Sequence, residues 1–347
     1  MKSILKFVCA FLLCTLLFSC SQTHKNSNNI AVFIPGNLAG SPVYDMLAKG
    51  VEEGVLAYNI NHKDEKPIEV AIIEAGTNQA EWSNKLLGVI LENYRLIVTA
   101  NPSMPDIIAP FTEEFPNQKF IVLDAYYEGN PNIQTYQYNK YEQSYLTGFI
   151  SALVSTANSQ DMKFANKDKK IALIAAQEYP VMNNIILPAF IQGAKTAVKD
   201  ISVDFRVVGN WYDASKGAEI AKSLYQNGVD VILPICGGAA QGVISAAKEH
   251  NFYITWFDEN GFNKAPDYVV ASTEILQQEV AKTVTMLFLD NKIDFVSPVT
   301  FSMKDGIVHF VTNDPLYYAT VSQDIRDKVF QEYQKILKGE LSFSMTN

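Results

Sequence analysis

Two similar α/β lobes are the architecture this sequence predicts, on three observations. Apolar runs of five to seven residues recur with helical patterns between them. The runs are continuous in Val, Ile and Leu, as in strands buried on both faces of a parallel sheet. The series stops after Asp124 and starts again at Lys170.

The first series of strands is IAVFI from Ile30, IEVAII from Ile68, RLIVTA from Arg95 and KFIVLD from Lys119. The second is KIALIAA from Lys170, VDFRVV from Val203, VDVILPI from Val229, FYITWF from Phe252 and YVVAS from Tyr268. Helices are expected over Tyr44–Leu56, Ala80–Glu92, Glu142–Ser155, Ile185–Val198, Ala218–Gln226 and Gln241–Glu249. Such alternation implies right-handed crossovers. Near the end, FSMKDGIVHF places Asp-Gly between apolar runs, a hairpin signal, and Gln323–Leu337 reads as a closing helix.

The 347 residues suffice for two domains, and with 48% apolar residues the core needs no disulfide or metal staple. With 19% charged residues, 18 Gly and 14 Pro, wholesale disorder is excluded. The net charge of −9, without a Lys/Arg-rich block, argues against a nucleic-acid partner, which would require phosphate neutralisation.

Residues 1–19 carry Lys2 and Lys6, the apolar run FVCAFLLCTLLF and then Ser19, the parts of an export signal. The four residues LFSC resemble a bacterial lipobox, which makes Cys20 the lipidated first residue of the mature chain. An ordinary signal peptide with an incidental cysteine is the alternative. Cys9 and Cys14 leave with the signal and Cys20 carries lipid, so Cys236 alone remains and no internal disulfide is expected. Residues 20–29 are polar and read as a flexible tether.

In open α/β sheets ligands sit beyond the carboxyl ends of the strands. There is no G-x-S-x-G elbow, phosphate-binding loop or dinucleotide fingerprint at those positions, and the four histidines have no metal-ligand spacing. Neither a cofactor nor a metal is expected. The strand ends instead carry PGNLAGSPVYD, Asp124-AYY, GNWYD, Gly237-Gly238 and Asp258-Glu259-Asn260. Aromatic faces can sandwich a ring, carboxylates can accept hydrogen bonds from hydroxyls or ring N–H groups, and glycines let the backbone approach closely. Plainer roles stand beside these: Asp213 as a helix N-cap, Trp211 as core, and Gly237-Gly238 as a strand-to-helix turn. Asp124 and Asp258, each ending a buried strand, are costly without partners.

Taken together, FPNQKFIVLDAYY, YNKYEQSYLTGFISALVS, NWYDASKGAEIAKSLYQNGVDVILPICGGAAQGVISAAKE and WFDEN followed by APDYVVAST resemble the basic membrane protein family of ABC-transporter substrate-binding lipoproteins, which includes purine-nucleoside receptors. The likeness runs over roughly residues 30–290. It implies the type I periplasmic-binding-protein fold, two Rossmann-like lobes around a hinge, with residues 30–137 and 259–297 in one lobe and 138–258 and 298–347 in the other. It makes Asp124 the carboxylate that holds the base, Trp211 the stacking aromatic, Gly237 and Gly238 the glycines near the sugar, and Asp258 the acceptor of ribose hydroxyls. Two positions depart from the pattern. AGSPVYD puts Val43 at the first stacking Phe and Tyr44 at the base-reading Asn, where a phenol can stack but cannot reproduce an amide's paired donor and acceptor. STEILQ offers Leu276 or Gln277 where the family has a sugar-contacting Lys.

The expected function is that of a lipid-anchored, extracytoplasmic solute receptor, on the cell or outer membrane, that delivers a purine nucleoside to an ABC permease and is not an enzyme. A surface or adhesive lipoprotein that has lost the transport ligand is the second reading. A hydrolase acting through Asp124, Asp213 and Asp258 is the third.

Overall fold

A computed structural model describes residues 28–295, 297–341 and 343. The signal segment, Cys20 and most of the tether lie outside the described residues.

The first sheet is built from β1 (Ile30–Ile34), β2 (Val70–Glu74), β3 (Leu96–Ala100), β4 (Phe120–Leu123), β5 (Ile133–Tyr138) and β11 (Val299–Phe301), in the order β11-β5-β4-β3-β1-β2, all parallel. Its inner strands β1, β3 and β4 read as nearly unbroken apolar runs because both faces are covered. Ile30, Val32 and Ile34 pack with Leu47, Val51 and Val55 of helix α1 (Pro42–Asn61). Ala31 and Phe33, pointing the other way, pack with Trp82, Leu86 and Ile90 of α2 (Trp82–Leu91) and with Met104 and Ile108 of α3 (Met104–Glu114). The edge strands β2 and β11 stay half covered.

The second sheet repeats the plan with β6 (Lys170–Ala175), β7 (Ser202–Val207), β8 (Val231–Ile235), β9 (Tyr253–Trp256), β10 (Val269–Ile275) and β12 (Val308–Phe310), ordered β12-β10-β9-β8-β6-β7. Its ladders are parallel except the last, where β12 runs antiparallel to β10. Helices α4 (Lys140–Ser155), α5 (Leu187–Ala197), α6 (Ala214–Gln226) and α7 (Ala240–His250) complete the strand–helix units. After them come α8 (Gln277–Leu289), α9 (Pro315–Thr320) and α10 (Gln323–Leu337). The two sheets, each interleaved with helices, are the two Rossmann-like lobes that the resemblance implied.

Helix α4 is buried along nearly its whole length. Three of its hydroxyls, those of Ser144, Thr147 and Ser151, donate to the carbonyl four residues back at 2.7, 2.6 and 2.7 Å. It meets α5 at backbone contact: a Cβ at Gly148 would strike the Phe190 carbonyl oxygen, and one at Gly193 that of Tyr145.

The chain crosses between the sheets three times. The first crossing lies between Tyr138 and Lys140. The second corrects the expected boundaries: residues 269–275 form β10 on the second sheet, so the return comes at Leu276 rather than near Asp258. Only then does α8 pack on α1 of the first lobe. The third crossing falls after Phe301, not near Ser297, and overturns the expected hairpin. A turn does form at Asp305-Gly306, with Gly306 at φ 69°, but β11 pairs with β5 and β12 with β10, in different sheets. The two apolar runs lie on either side of the third crossing rather than pairing with each other.

Candidate ligand-binding site

The carboxyl ends of the two sheets converge at the first crossing. Asp124 follows β4 and Asp258 follows β9 by two residues. Both sit in the left-handed region, at φ 54° and 68°, a conformation Asp tolerates better than most residues because its short side chain can bond locally. Between them lies Lys140, the first residue of α4. Its Nζ is 3.3 Å from Asp124 Oδ1 and donates to Asp258 Oδ1 at 2.7 Å. Gln143, one turn on, donates to the same Asp258 oxygen at 3.3 Å and to Thr273 Oγ1 at 3.4 Å. The ammonium is 5.6 Å from both the Tyr138 and Phe257 ring centres. A cation at a helix N-terminus opposes the macrodipole, and the two carboxylates outweigh that opposition.

The carboxylates retain 20% and 21% exposure while the lysine side chain keeps 6%. Burial pushes the Asp124 carboxyl up to about 6, with Lys140 opposing and Asp258 adding to the rise. For Lys140, burial pulls downward, but Asp124 and Asp258 together hold it above its ordinary range. Burial and then the same two carboxylates raise the phenols of Tyr138 and Tyr179, which places both near the pair.

Tyr179, just after β6, connects the acidic pair to Trp211. The two rings lie 6.3 Å apart with a 40° tilt, and the Trp211 indole Nε1 donates to Gln177 Oε1 at 3.3 Å. Gly237, at φ 56°, is packed against Trp211: a Cβ there would come 2.9 Å from the Trp211 carbonyl oxygen and 3.4 Å from its ring. A Cβ at Gly238 would lie 3.5 Å from that oxygen, an ordinary contact. Only glycine gives the first position both the conformation and the clearance. Both glycines also turn β8 into α7.

On the first lobe, the half-buried Tyr44 donates to the Pro35 carbonyl at 3.1 Å and accepts from Asn101 Nδ2 at 3.2 Å. Its phenol is pushed up to about 12, mainly by burial, with the Asn101 hydrogen bond opposing and Asp124 adding. A chain of neighbours thus runs from Tyr44 to Asp124, through Lys140 to Asp258, and from the two carboxylates through Tyr179 to Trp211, Gly237 and Gly238.

Asp213 does not join them; it caps α6 by accepting the Lys216 amide N–H at 2.9 Å. Gln277, at one of the positions where the resemblance wanted a lysine, donates to the Val43 carbonyl at 2.6 Å. Cys236 is buried, its thiol pushed up to about 12 by desolvation. Among the described residues no group of three or more His, Cys, Asp and Glu could hold a metal ion, and no helix is long and apolar enough to cross a membrane.

A family model for PnrA-like ABC transporter substrate-binding proteins matches residues 27–341. The chain belongs to this family. Basic membrane protein A of Borreliella afzelii is 26% identical over 272 residues, 76% of this chain and 78% of that protein. The ABC transporter nucleoside-binding protein BmpA of Lactococcus lactis is 25% identical over 268 residues, 72% and 71% of the two chains. A solute-binding protein of an ABC transporter system from Aeropyrum pernix K1 has a TM-score of 0.78 at 17% identity, covering 92% of this chain and 94% of that one, a likeness of fold. The family is one of transporter substrate-binding proteins rather than of enzymes.

Reading the strand ends of this family member missed Lys140, Gln143, Tyr179 and Asn101. Lys140 and Gln143 lie on a helix start rather than a strand end, and a lysine is ordinarily a solvent signal. Tyr179 and Asn101 do follow β6 and β3. The φ of 132° at Asn101 could not be read from sequence.

Proposed function

We propose that this protein is the lipid-anchored, extracytoplasmic receptor of an ABC importer and binds a purine nucleoside between its lobes. The observation that carries the reading is the convergence of one carboxylate from each lobe, Asp124 and Asp258, with the exposed indole of Trp211 joined to them through Tyr179. A planar base has an aromatic face to lie on and a carboxylate to accept its N–H groups, and a ribose has a second carboxylate to accept its hydroxyls. The name of the Lactococcus lactis relative as a nucleoside-binding protein supports the same ligand class. Three backbone crossings form the hinge on which the lobes would close over the ligand, and the closed form would be what a permease recognises. The anchor would be Cys20, with more than one acyl chain for stable attachment.

Calorimetry with inosine, guanosine, adenosine and a panel of free sugars tests the reading. Saturable heat from a purine nucleoside is the expected result. Heat from a sugar alone would keep the receptor and change its ligand. No heat from any small molecule would return the chain to the adhesive alternative.

A further inference from the structure

The two carboxylates assigned to the ligand are already bound to something. Lys140 holds one oxygen of each, Asp124 Oδ1 and Asp258 Oδ1. The second oxygens, Asp124 Oδ2 and Asp258 Oδ2, have no hydrogen bond to any described residue, and neither is sealed from solvent. Asp124 comes from the first sheet and Asp258 from the second, while Lys140 stands two residues past Tyr138, at the first crossing. The cation therefore sits on the hinge, with a carboxylate reaching it from either side.

We propose that Lys140 is a positioning and specificity-determining residue of this site: its ammonium ties Asp124 and Asp258 into one unit of net charge −1, turns one oxygen of each toward the ligand, and so selects a neutral ligand with two sets of hydrogen-bond donors over an anionic one. The proposal rests on the reading of this space as the ligand cleft.

The electrostatics follow from position. Two carboxylates sharing a site without a cation drive one of them to take up a proton, and a protonated carboxyl is no longer an acceptor at both oxygens. Lys140 removes that conflict while leaving the pair one negative charge, which a phosphate or carboxylate on the ligand would meet as repulsion. The titratable groups facing the ammonium are Asp124, Asp258 and Tyr138, with Tyr179 beside the two carboxylates and Tyr44 beyond Asp124. Glu142, its neighbour on α4, turns away to accept the Met303 amide at 2.7 Å. Glu259 is engaged by Lys264 at 2.8 Å.

The test has two arms on the full chain. In the first, ¹³C NMR titrates the Asp side-chain carboxyls of the ligand-free protein. In Lys140→Met the Asp124 midpoint should move up by about a pH unit or more, as expected when a close opposite charge is lost. Lys140→Arg should leave it near the wild-type value. Lys140→Gln keeps a donor without the charge, is the mildest change to packing, and should shift like Lys140→Met. An unmoved midpoint in Lys140→Met and Lys140→Gln overturns the proposal whether or not any nucleoside binds.

In the second arm, calorimetry measures inosine and inosine 5′-monophosphate from pH 5.5 to 8.5. Wild type should bind inosine more tightly than its monophosphate. Lys140→Met should lose about ten-fold or more in inosine affinity at neutral pH, and recover part of it at higher pH where Asp124 ionises. Equal affinity of wild type for the two ligands, or a pH profile identical in Lys140→Met and wild type, also overturns it. If wild type binds no nucleoside, the nucleoside reading fails while the NMR arm still decides the role of Lys140.

Discussion

At Trp211 an indole keeps 38% exposure while its Nε1 is fixed by Gln177 and its backbone is clamped over Gly237. An aromatic held by its edge and its main chain, with a face left open, is prepared to stack. Trp211→Ala should weaken nucleoside binding by about 1–3 kcal/mol, by analogy with base stacking on aromatic platforms, with little change in thermal stability. Tyr44 is the contrasting case. Its hydroxyl is committed to Pro35 and Asn101, so Tyr44→Phe separates the two roles available to it. A stacking ring would keep the affinity after loss of the hydroxyl, whereas a tether for the β1 loop would lose it. Retained affinity in Tyr44→Phe together with loss in Tyr44→Ala assigns the ring to the ligand, and calorimetry on the two variants reads this directly.

Among the elements, the first turn of α4 holds the most functions. Lys140 serves the carboxylates, Gln143 reaches Asp258 and Thr273, and Glu142 holds the third crossing through Met303. Burial pushes Glu142 up to about 7, with the Met303 hydrogen bond opposing and Asp305 adding. An acid whose folded value exceeds its ordinary 4.5 binds more protons folded than unfolded between those values, so stability falls as pH rises through that window, and the full loss is present above about 7. Glu142→Gln, whose amide oxygen can still accept from Met303, should leave stability near pH 4 unchanged. It should raise it at pH 8 by on the order of 3 kcal/mol at the usual 1.36 kcal/mol per unit. Thermal melts at the two pH values check this, and an equal change at both would dissociate Glu142 from the pH dependence. The elements also mark where sequence reading stopped. Strands such as IAVFI declare themselves because two helical layers cover them. β5 escaped because IQTYQY is mostly polar, yet all six residues are buried, with Gln134 and Gln137 donating to Ser297 and Thr300 beside β11. Helix α3 was hidden by Pro105 and Pro110. The Asp-Gly signal correctly marked a turn, but local pattern carries no information on which sheet each flanking run joins.

At the scale of the molecule, the proposed anchor at Cys20 has a direct test. Cys20→Ala should release it from the membrane fraction into the soluble one; a variant that remained as membrane-bound as wild type would remove the lipid anchor from the account. The three crossings have a further consequence. Each sheet is finished by a strand made very late, β11 on β5 and β12 on β10. Until residues 299–310 arrive, both lobes present an open edge of unpaired amides and carbonyls, the kind of edge that templates wrong pairings. Neither half can therefore settle first and wait for the other. Contacts spanning more than 150 residues, such as Glu142 to Met303, must form with the last strands, which slows folding in proportion to their sequence distance. Late closure makes the receptor a single kinetic unit: a chain cut short before residue 299 is left not with one finished lobe but with two exposed seams.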